Sequence, residues 1–571
     1  MSGREQLLAV ARGDEPADLV IRGARVFSVF TREWLDGDVA VACGRFAGLG
    51  RYEGSETLDA GASMLVPGFV DAHVHIESSL LTLERFAELI LAQGTTTIVA
   101  DPHELANVVG ADGVHWLLDA AADVPLNVFV MAPSCVPASR FESPRGPLGL
   151  DEIQGILARD GALGVAEMMD FPALIAGDPE ALAKVEARGA SHVDGHAPGV
   201  SGHALNAYLA AGIVSDHEAT TYEEALEKRR KGAWILIREA SNARNLEDLL
   251  PLVRRYGPER CAFCTDDREA DVLLAEGHIN GMCRTAVRAG LALEEALVLA
   301  THNGAACHGL AGVGAVAPGY RADFSLLSDT AGFRPERVYK DGRLVALDGE
   351  PLPIAAAPLP DWLTDTVQVG PLSASDFAIP ASGAPMRVIE LVPGQLLTTA
   401  AAEPPRIVDG MALADPARDL AKIAVVERHR ASGRIGRGLV RGFGLREGAF
   451  ASTVSHDAHN IVVVGVSDVD MEACVRRLVE LRGGIVVARA GAMLAELALP
   501  VAGLMSDQPG ADVARSLGEL RAAARTLGVE LRAPFMALSF LGLSVIPALK
   551  ITDRGLVDVE RFELVPLELG T

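Results

Sequence analysis

A regular alternation of two chain textures places the strongest constraint on this fold. From Val66 to about Gly309, short runs of apolar and β-branched residues alternate with longer Ala-, Leu- and Glu-rich stretches of helical period. Repeated β-then-α units of this kind predict an α/β protein built on a (β/α)8, TIM-type barrel. The eight strand candidates are FVDAHVHIE (69–77), TTIVADPHE (96–104), NVFVMAPSC (127–135), GVAEMMD (164–170), SHVDGHAPG (191–199), GIVSDHE (212–218), WILIREAS (234–241) and AFCTDD (262–267).

Polar and titratable residues end nearly every one of these runs. A buried strand needs apolar side chains for packing, so a polar end that recurs from strand to strand calls for another explanation. In a barrel of parallel strands, the C-terminal ends lie on one face, and catalytic residues are found there. The pattern therefore predicts an enzyme whose active site lies at this face.

The chain on either side of the predicted barrel has the pattern of small antiparallel sheets. Gly, Asp and Arg break up the β-type runs of residues 18–66, and similar runs follow the barrel as far as VYKDGRLVALDGE. We expect the flanks to pair, so that residues 1–66 and 312–365 form a small β-sandwich domain beside a barrel of residues 67–311. After a Pro- and Ala-rich connector, residues 366–571 predict a C-terminal α+β domain.

Composition excludes several classes of function. With 51 Lys and Arg against 76 Asp and Glu, the formal net charge is −25, which disfavours nucleic-acid binding, and only 5% of the residues are aromatic. The apolar stretch PFMALSFLGLSVIP (534–547) is shorter than the ~20 residues of a membrane-spanning helix, so we expect no membrane segment. We expect the seven cysteines to be free thiols in a reducing cytoplasm, with Cys261 and Cys264 as small apolar residues of a buried strand.

The stretch DAHVHIESS (71–79) carries the clearest chemistry. His73 and His75 are two residues apart in a strand, so both imidazoles project from one face, which in a barrel can be the interior. Imidazoles that converge at a strand end suit a divalent first-row metal ion. Later strand ends add the candidate ligands Glu167, His196, His217 and Asp266.

This ligand set exceeds the needs of one four-coordinate ion and predicts two ions that share a bridging carboxylate. Glu167 is the natural bridge because it lies between the two histidine pairs in strand order. The donors are nitrogen and oxygen without thiolate, which favours Mn²⁺ or Fe²⁺ as readily as Zn²⁺ and leaves the choice of metal open.

Together these motifs resemble the amidohydrolase superfamily. Within it, ADPHE, GVAEMMD, DGHAPGVSGHALNAYLAAGI, CTDDR, GHINGMCRTAV and VSHDAHNI are similar to the bacterial adenine deaminase family, and the resemblance covers nearly the whole chain. Many superfamily members carry a carboxylated Lys on the fourth strand; this chain has Glu167 there, which fits the adenine deaminase pattern. His203 follows the DGHAPG loop at a position without a fixed residue, and we assign it no role.

The resemblance implies hydrolysis of adenine to hypoxanthine and ammonia, a purine salvage reaction, with a metal-bridged hydroxide attacking C6. Asp266 is the candidate to accept the hydroxide proton and pass it to the leaving nitrogen; the alternative is a metal ligand without this role. A second acid must protonate ring N1. The candidates are Glu77 and Glu239, and each is equally well explained as a carboxylate outside the reaction.

Specificity should come from groups that match the polar edge of adenine. The ends of the second and seventh strands offer His103, Glu104 and Arg238 for substrate binding. Asp267, beside Asp266, is a further substrate-binding candidate, with a loop carboxylate as its alternative.

Several motifs leave alternatives open. Asp101 precedes a proline and is interpreted as a turn residue, whereas His278 and Asn280 either rim the pocket or cap a helix. The apolar stretch 534–547 either packs the C-terminal domain or lines the purine site. The motif VSHDAHNI is a lid over the barrel, an auxiliary metal site or an internal hydrogen-bond cluster, through His456, Asp457 and His459.

Two other functions compete with adenine deamination. A hydrolase of a cyclic amide, such as hydantoin or dihydroorotate, usually has a fourth-strand Lys, which GVAEMMD lacks. A non-catalytic barrel scaffold should have lost metal ligands, whereas every candidate position here holds a competent one. The size and charge of the chain favour a homo-oligomer, with a dimer as the simplest form, and the expected partner is a small-molecule substrate.

Overall fold

The computed structural model describes residues 2–61, 63–187, 192–329, 331–356, 358–392 and 395–570. Two parallel sheets form its centre. The first has the order β5-β4-β3-β2-β1 and is a parallel half-barrel of the TIM type, and the second has the order β6-β7-β8. The strands are β1 (Phe69–Val74), β2 (Thr95–Ala100), β3 (Asn127–Ala132), β4 (Ala162–Met168), β5 (Val193–Gly195), β6 (Ser215–Asp216), β7 (Trp234–Arg238) and β8 (Cys261–Cys264).

Backbone hydrogen bonds link the edges of the two sheets on both sides. The amide of Asp266, just after β8, donates to the carbonyl of His73 in β1 at 3.0 Å. On the other side, the amide of Val214 donates to the carbonyl of Val193 in β5 at 3.0 Å. At this second junction a Cβ on Gly195 would lie 2.3 Å from the carbonyl oxygen of Ser215, so only glycine allows the strands to approach so closely.

Helices follow the parallel strands and cover them with apolar faces. The helix Leu83–Leu91 buries Leu83, Phe86, Ala87, Ile90 and Leu91, the spacing of one helical face. The helices of this region are Leu83–Leu91, His103–Val109, Ala111–Ala121, Leu150–Leu157, Phe171–Ala176, Pro179–Val185, Gly202–Ala210, Tyr222–Arg230, Leu246–Tyr256, Ala270–Glu276, Ile279–Arg288, Leu293–Ala300 and His302–Cys307, with a 3₁₀ turn at Ile76–Ser79.

Segments before and after the parallel strands share one nine-stranded sheet. Met64–Pro67 pairs antiparallel with Phe324–Leu327, Phe324 opposite Pro67 and Leu327 opposite Met64. On its other edge, Met64–Pro67 pairs with the long strand Ala17–Ser28. The remaining strands of this sheet are Glu33–Ala42, Arg45–Leu49, Gly54–Asp59, Pro335–Lys340, Arg343–Leu347 and Glu350–Pro351, and the helix Gly3–Arg12 precedes them.

The C-terminal region is built on an eight-stranded sheet. Its strands are Met386–Leu391, Thr398–Glu403, Leu420–Val426, Ile435–Arg441, Ala449–Ser452, Ile461–Gly465, Gly484–Arg489 and Ala492–Ala498. Its longest helices are Asp468–Glu480 and Gly510–Thr526, and Pro534–Ser539 is a shorter one. The smaller strands are Ile379–Pro380, Arg406–Val408, Met411–Leu413, Leu549–Thr552, Gly555–Asp558 and Glu563–Val565, and short helical turns are Asp361–Thr364, Ala374–Phe377 and Pro416–Arg418.

The C-terminal region packs directly against the loop that follows β1. The amide of Thr82 donates to the carbonyl of Ser506 at 3.0 Å, and the amide of Ser506 donates to the carbonyl of Leu80 at 2.8 Å. Buried apolar side chains from both regions, such as Phe86 and Leu517, belong to one continuous core. The C-terminal ends of the parallel strands are therefore covered by residues distant in sequence. Across the described residues, every helix is too short or too polar to cross a membrane.

Truncation of Phe86 should measure how strongly this core holds the fold. The side chain is 1% exposed, so Phe86→Ala removes a packed ring and should cost about 3–5 kcal/mol of unfolding free energy. Leu274→Ala is the matched control because Leu274 is 45% exposed, and it should cost less than about 0.5 kcal/mol. Urea unfolding followed by tryptophan fluorescence measures both, and equal midpoints for the two variants would contradict this assignment of the core.

Candidate metal centre and substrate cavity

The two imidazoles of the H-x-H motif meet at the end of β1. The Nε2 atoms of His73 and His75 lie 3.2 Å apart, and both side chains are buried. The ring of His73 also stacks on that of His217, with 4.3 Å between ring centroids. Two bare imidazole lone pairs repel at this distance, so the space between them requires a proton or a cation.

Glu167, at the end of β4, lies between the imidazoles that end β1 and those that follow β5 and β6. Its Oε1 lies 3.4 Å from His75 Nε2 and 4.0 Å from His73 Nε2. Its Oε2 lies 2.6 Å from His196 Nδ1 and 3.3 Å from His217 Nε2. Burial alone would raise the pKa of Glu167, but His196 and His217 hold that pKa well below its usual range. Each carboxylate oxygen thus faces its own pair of imidazoles.

Asp266 closes the cluster from the end of β8. A backbone φ of 56° turns the chain here, and Oδ1 lies 3.0 Å from His75 Nε2 while Oδ2 accepts a 3.0 Å hydrogen bond from the guanidinium of Arg238. Burial would raise the pKa of Asp266, yet His75 and Arg238 hold it well below its usual range. The side chain is therefore an anion fixed between a cation and an imidazole.

The donor set fits divalent metal ions. Ligand atoms at ~2.0–2.2 Å from one ion lie roughly 3–4 Å from each other, which matches the distances around Glu167 and Asp266. Donor atoms of His73, His217 and Asp266 lie within 4.8 Å of one another, as do those of Glu167, His196 and His217. The structure thus brings together all the side chains that the sequence suggested as candidate metal ligands, from the ends of β1, β4, β5, β6 and β8.

Glu218 is a site residue that the sequence analysis missed. Its carboxylate lies 3.7 Å from His196 Nδ1 and 3.5 Å from His217 Nε2, and it forms a bidentate pair with Arg238. Burial would raise the pKa of Glu218, but Arg238 and the two histidines lower it. The signal was its position directly after His217 in the run GIVSDHE.

Asp101 and His103 lie beside the candidate metal cluster. Asp101, interpreted as a turn residue, accepts hydrogen bonds at 3.1 Å from both the amide and Nδ1 of His103, and the bond from the amide two residues further on is the one that such a turn makes. His103, expected at the substrate edge, lies beside the metal cluster with Nδ1 3.6 Å from Glu167 Oε1. Donor atoms of these two residues, His75 and Glu167 form a further group within 4.8 Å. The helix His103–Val109 begins shortly after β2 ends at Ala100, so His103 lies close to the C-terminal ends of the strands.

The two candidates for the second acid occupy different places. One oxygen of Glu77 accepts a 3.0 Å hydrogen bond from the amide of Leu105, and burial together with Glu104 raises the pKa of Glu77 to about 7. Glu239 turns away from the cluster: its carboxylate accepts from the amide of Leu246 at 3.3 Å and lies 3.7 Å from Arg244. Because successive residues of a strand face opposite sides, Arg238 enters the site and Glu239 does not.

Two substrate-binding candidates are joined by a serine. Ser78 Oγ donates to Glu104 Oε1 at 3.0 Å and is also hydrogen-bonded to Asp267. The motif VSHDAHNI reaches the same place from the C-terminal region, since His456 Nδ1 lies 3.0 Å from Glu104 Oε1. Glu104 and Asp267 therefore belong to a buried network beside the metal cluster.

His278 and Asn280 lie away from this face of the sheet. The ring of His278 lies 2.8 Å from Thr95 Oγ1 and 3.0 Å from Asp71 Oδ2, and it is fully buried. Asn280 Oδ1 accepts a 2.9 Å hydrogen bond from the amide of His278 at the start of the helix Ile279–Arg288. Of the two alternatives, the helix-start position is the one observed.

A cavity of about 1080 Å³ opens beside the cluster. Arg238 and Glu218 are among the polar residues that line it, and Met169 and Phe171 contribute apolar surface from the end of β4. The opposite wall comes from the C-terminal region and includes Leu397, Val545, Ile546, Pro547 and Phe562. Part of the apolar stretch 534–547 thus lines the cavity, while Leu538 and Leu541 are buried in the core.

Similarity to known proteins extends over nearly the whole chain. The amidohydrolase family model matches residues 64–345, and the model of the adenine deaminase C-terminal domain matches residues 395–563. An adenine deaminase of Desulfatibacillum aliphaticivorans is 47% identical over 566 residues, covering 99% of both chains. Adenine deaminase 2 of Carboxydothermus hydrogenoformans is 44% identical over 567 residues with the same coverage. The chain belongs to the adenine deaminase family.

Membership of this family confirms the resemblance inferred from the motifs and makes the chain a hydrolytic enzyme. Among solved structures, an L-hydantoinase (dihydropyrimidinase) from Arthrobacter aurescens matches with a TM-score of 0.47 and 17% identity, covering 59% of this chain and 97% of its own. A crystal structure of an adenine deaminase matches with a TM-score of 0.44 and 15% identity, covering 57% of this chain and 99% of its own.

Substitution of Glu167 should release metal. Glu167→Ala removes both oxygens that face the imidazole pairs, so we expect purified protein to lose at least one divalent ion per chain. Glu239→Ala is the matched control, since Glu239 is also a strand-end glutamate but contacts Leu246 and Arg244 instead. Elemental analysis after reconstitution measures both variants. Equal metal content would refute the placement of Glu167 at the centre of the site.

Proposed function

We propose that this chain hydrolyses adenine to hypoxanthine and ammonia. The observation that carries the proposal is its 47% identity, over 99% of both chains, to a protein named adenine deaminase. The buried cluster around Glu167 supplies the metal-binding groups that such a hydrolysis needs. The alternative of a cyclic-amide hydrolase is disfavoured by the glutamate on β4, and a non-catalytic scaffold is disfavoured by the complete ligand set.

The finer architecture is part of this proposal. We infer that β1 to β8 close into one (β/α)8 barrel, because backbone hydrogen bonds join β8 to β1 and β5 to the β6 segment. We also keep the division into residues 1–66 with 312–365, residues 67–311, and residues 366–571. Strand pairing between Met64–Pro67 and Phe324–Leu327 supports the first of these units.

We assign two divalent cations to the cluster, which Glu167 would help to hold, since each of its carboxylate oxygens faces a pair of imidazoles. The ligands proposed for them are His73, His75, Glu167, His196, His217 and Asp266. Nitrogen and oxygen donors suit Mn²⁺ or Fe²⁺, with Zn²⁺ as the alternative. When bound, such cations lower the pKa of water and neutralise developing negative charge.

Asp266 is the proposed proton carrier. Its carboxylate lies between Arg238 and His75 at the end of β8, where it can accept the proton that water loses on attacking C6. Arg238 holds Oδ2 at 3.0 Å, which leaves Oδ1 on the side of the imidazoles to hand that proton to the leaving nitrogen. Glu77 is the proposed acid for ring N1, and it replaces Glu239, whose carboxylate turns away.

The cavity suits a purine. Apolar side chains such as Met169, Phe171 and Ile546 can pack against the two faces of the ring. Adenine carries N–H donors and ring-nitrogen acceptors, which a carboxylate and a guanidinium can pair with. Glu218 and Arg238 offer these groups at the cavity wall, beside the histidines of β5 and β6.

We also infer the setting in which the enzyme works. All seven cysteines, from Cys43 to Cys474, are free thiols, as expected in a reducing cytoplasm. Its partner is a small molecule, and the acidic charge of −25 disfavours nucleic acids. We keep the homodimer as the expected assembly because large acidic enzymes of this size commonly associate.

Conversion of adenine tests the function directly. Metal-replete enzyme should release ammonia from adenine, and Asp266→Asn should lower kcat by about 10²–10⁴-fold because the proton carrier is lost. Asn keeps an oxygen ligand, so the variant should retain most of its metal. Ammonia release and elemental analysis on one preparation measure both effects. A wild-type enzyme that cleaves hydantoin but leaves adenine intact would refute the substrate, and a near-normal rate for Asp266→Asn would refute its role.

A further inference from the structure

A loop of the C-terminal region reaches into the barrel mouth. This capping loop, residues 453–460, connects the strands Ala449–Ser452 and Ile461–Gly465. It brings His456 Nδ1 to 3.0 Å from Glu104 Oε1. It also brings Asp457 Oδ1 to 3.8 Å from His103 Nε2. Residues more than three hundred positions apart thus meet beside the metal cluster.

The hydrogen bonds of Glu104 indicate which ring nitrogen of His456 carries a proton. Glu104 Oε1 accepts from Ser78 Oγ at 3.0 Å and lies at the same distance from His456 Nδ1. Because a buried carboxylate oxygen only accepts, Nδ1 of His456 must carry a proton and donate it. The imidazole is 3% exposed and stacks on the ring of Phe540, with centroids 4.4 Å apart and an interplanar angle of 11°. Its orientation is therefore fixed by packing.

Charge at this position supports the same assignment. Glu104, Asp267 and Asp457 are buried carboxylates that surround the ring of His456. Burial would lower the pKa of His456, but Glu104 and the two aspartates raise it to about 9. Other titratable groups near these carboxylates are His459, His75, Asp266 and Glu142. An imidazolium at position 456 thus offsets negative charge that burial would otherwise disfavour.

Donor atoms of Glu104, His456 and His459 lie within 4.8 Å of one another, but the hydrogen bonding of His459 disfavours an auxiliary metal ion here. The amide of Ser455 donates to His459 Nδ1 at 3.1 Å, so Nδ1 uses its lone pair as an acceptor. The proton of the neutral ring then lies on Nε2, which leaves no lone pair for a metal. Of the alternatives for the motif VSHDAHNI, a hydrogen-bond cluster fits these contacts.

Some acceptor atoms of the buried network around His456 have no hydrogen-bond partner within the protein. Among the described residues, Glu104 Oε2 and Asp457 Oδ2 are buried and have no hydrogen-bond partner. Unpaired buried acceptors are costly unless a ligand supplies donors. His103 links this network to the candidate metal cluster, because its Nε2 lies 3.8 Å from Asp457 Oδ1 and its Nδ1 lies 3.6 Å from Glu167 Oε1. Adenine offers N–H groups that can pair with the free acceptors.

We propose that His456 is a positioning residue for the reaction: its Nδ1–H holds one oxygen of Glu104 so that the other can accept a hydrogen bond from an N–H of the purine. This inference rests on the proposed function. It gives the C-terminal region a part in substrate binding, through a side chain that acts on Glu104 and does not itself touch the reacting atoms.

Two amide substitutions separate the two ring nitrogens. In His456→Asn, the side-chain NH₂ can take the position of Nδ1 and still donate to Glu104. In His456→Gln, the NH₂ takes the position of Nε2 and the donor to Glu104 is lost. Loss of a hydrogen bond to a charged group should raise the KM for adenine by about 10–10²-fold in His456→Gln. Because ground and transition states lose it alike, kcat should change by less than about threefold. His456→Asn should recover most of the loss.

A double-mutant cycle tests whether His456 acts through Glu104. In a Glu104→Gln background, His456→Gln should add less than about twofold to KM, since the carboxylate that it holds is gone. Independent, multiplicative effects would overturn the proposal, as would equal KM values for the Asn and Gln variants. Metal content and thermal unfolding are measured on every variant, and if His456→Gln fails to fold, His456→Ala takes its place in the cycle.

The outcome for the wild-type enzyme separates this inference from the function it rests on. Wild-type enzyme that leaves adenine unchanged would overturn the proposed function and this inference with it. Wild-type enzyme that deaminates adenine, together with a normal KM for His456→Gln, would overturn only the role of His456.

Discussion

The arrangement of this site depends on the balance between buried positive and negative charges. Imidazoles of β1, β5 and β6 crowd around the carboxylates of Glu167 and Asp266, and like groups repel strongly where the dielectric is low. Arg238 offsets part of the negative charge through Asp266 and Glu218, and metal cations can offset the remainder. The fold must therefore hold every strand end in register, because displacing any one group leaves a buried charge unpaired.

Strand periodicity explains which site residues the sequence could predict and which it could not. The H-x-H spacing placed two imidazoles on one face, and the structure has them with Nε2 atoms 3.2 Å apart. The same rule, applied at the end of β7, separates Arg238 from its neighbour Glu239, for which the sequence left open a place in the site or outside the reaction. Glu218 was missed for a related reason: it comes directly after a strand of only two residues, where the chain is already turning and alternation no longer applies.

Contacts between the parallel strands and the C-terminal region could not be predicted from the sequence. The parallel strands can be recognised from their local composition. The pairing of Glu104 with His456, in contrast, depends on how the C-terminal region packs against the parallel strands. The apolar stretch 534–547 illustrates the limit: its composition indicates burial, but only its position shows that Ile546 and Pro547 face a cavity while Leu538 packs inward. Composition predicts that a side chain is buried, but the way the two regions pack determines which residues it contacts.

The strand Met64–Pro67 has a further consequence for how the chain folds during synthesis. One of its edges pairs with Ala17–Ser28, which leaves the ribosome earlier, but the other edge pairs with Phe324–Leu327. Until that late segment is made, the early sheet exposes an unsatisfied edge while all of the parallel strands emerge. This sheet can be completed only after all of the parallel strands have been translated. A nascent chain that stalls before Phe324 therefore keeps an unpaired strand edge that can associate with other chains.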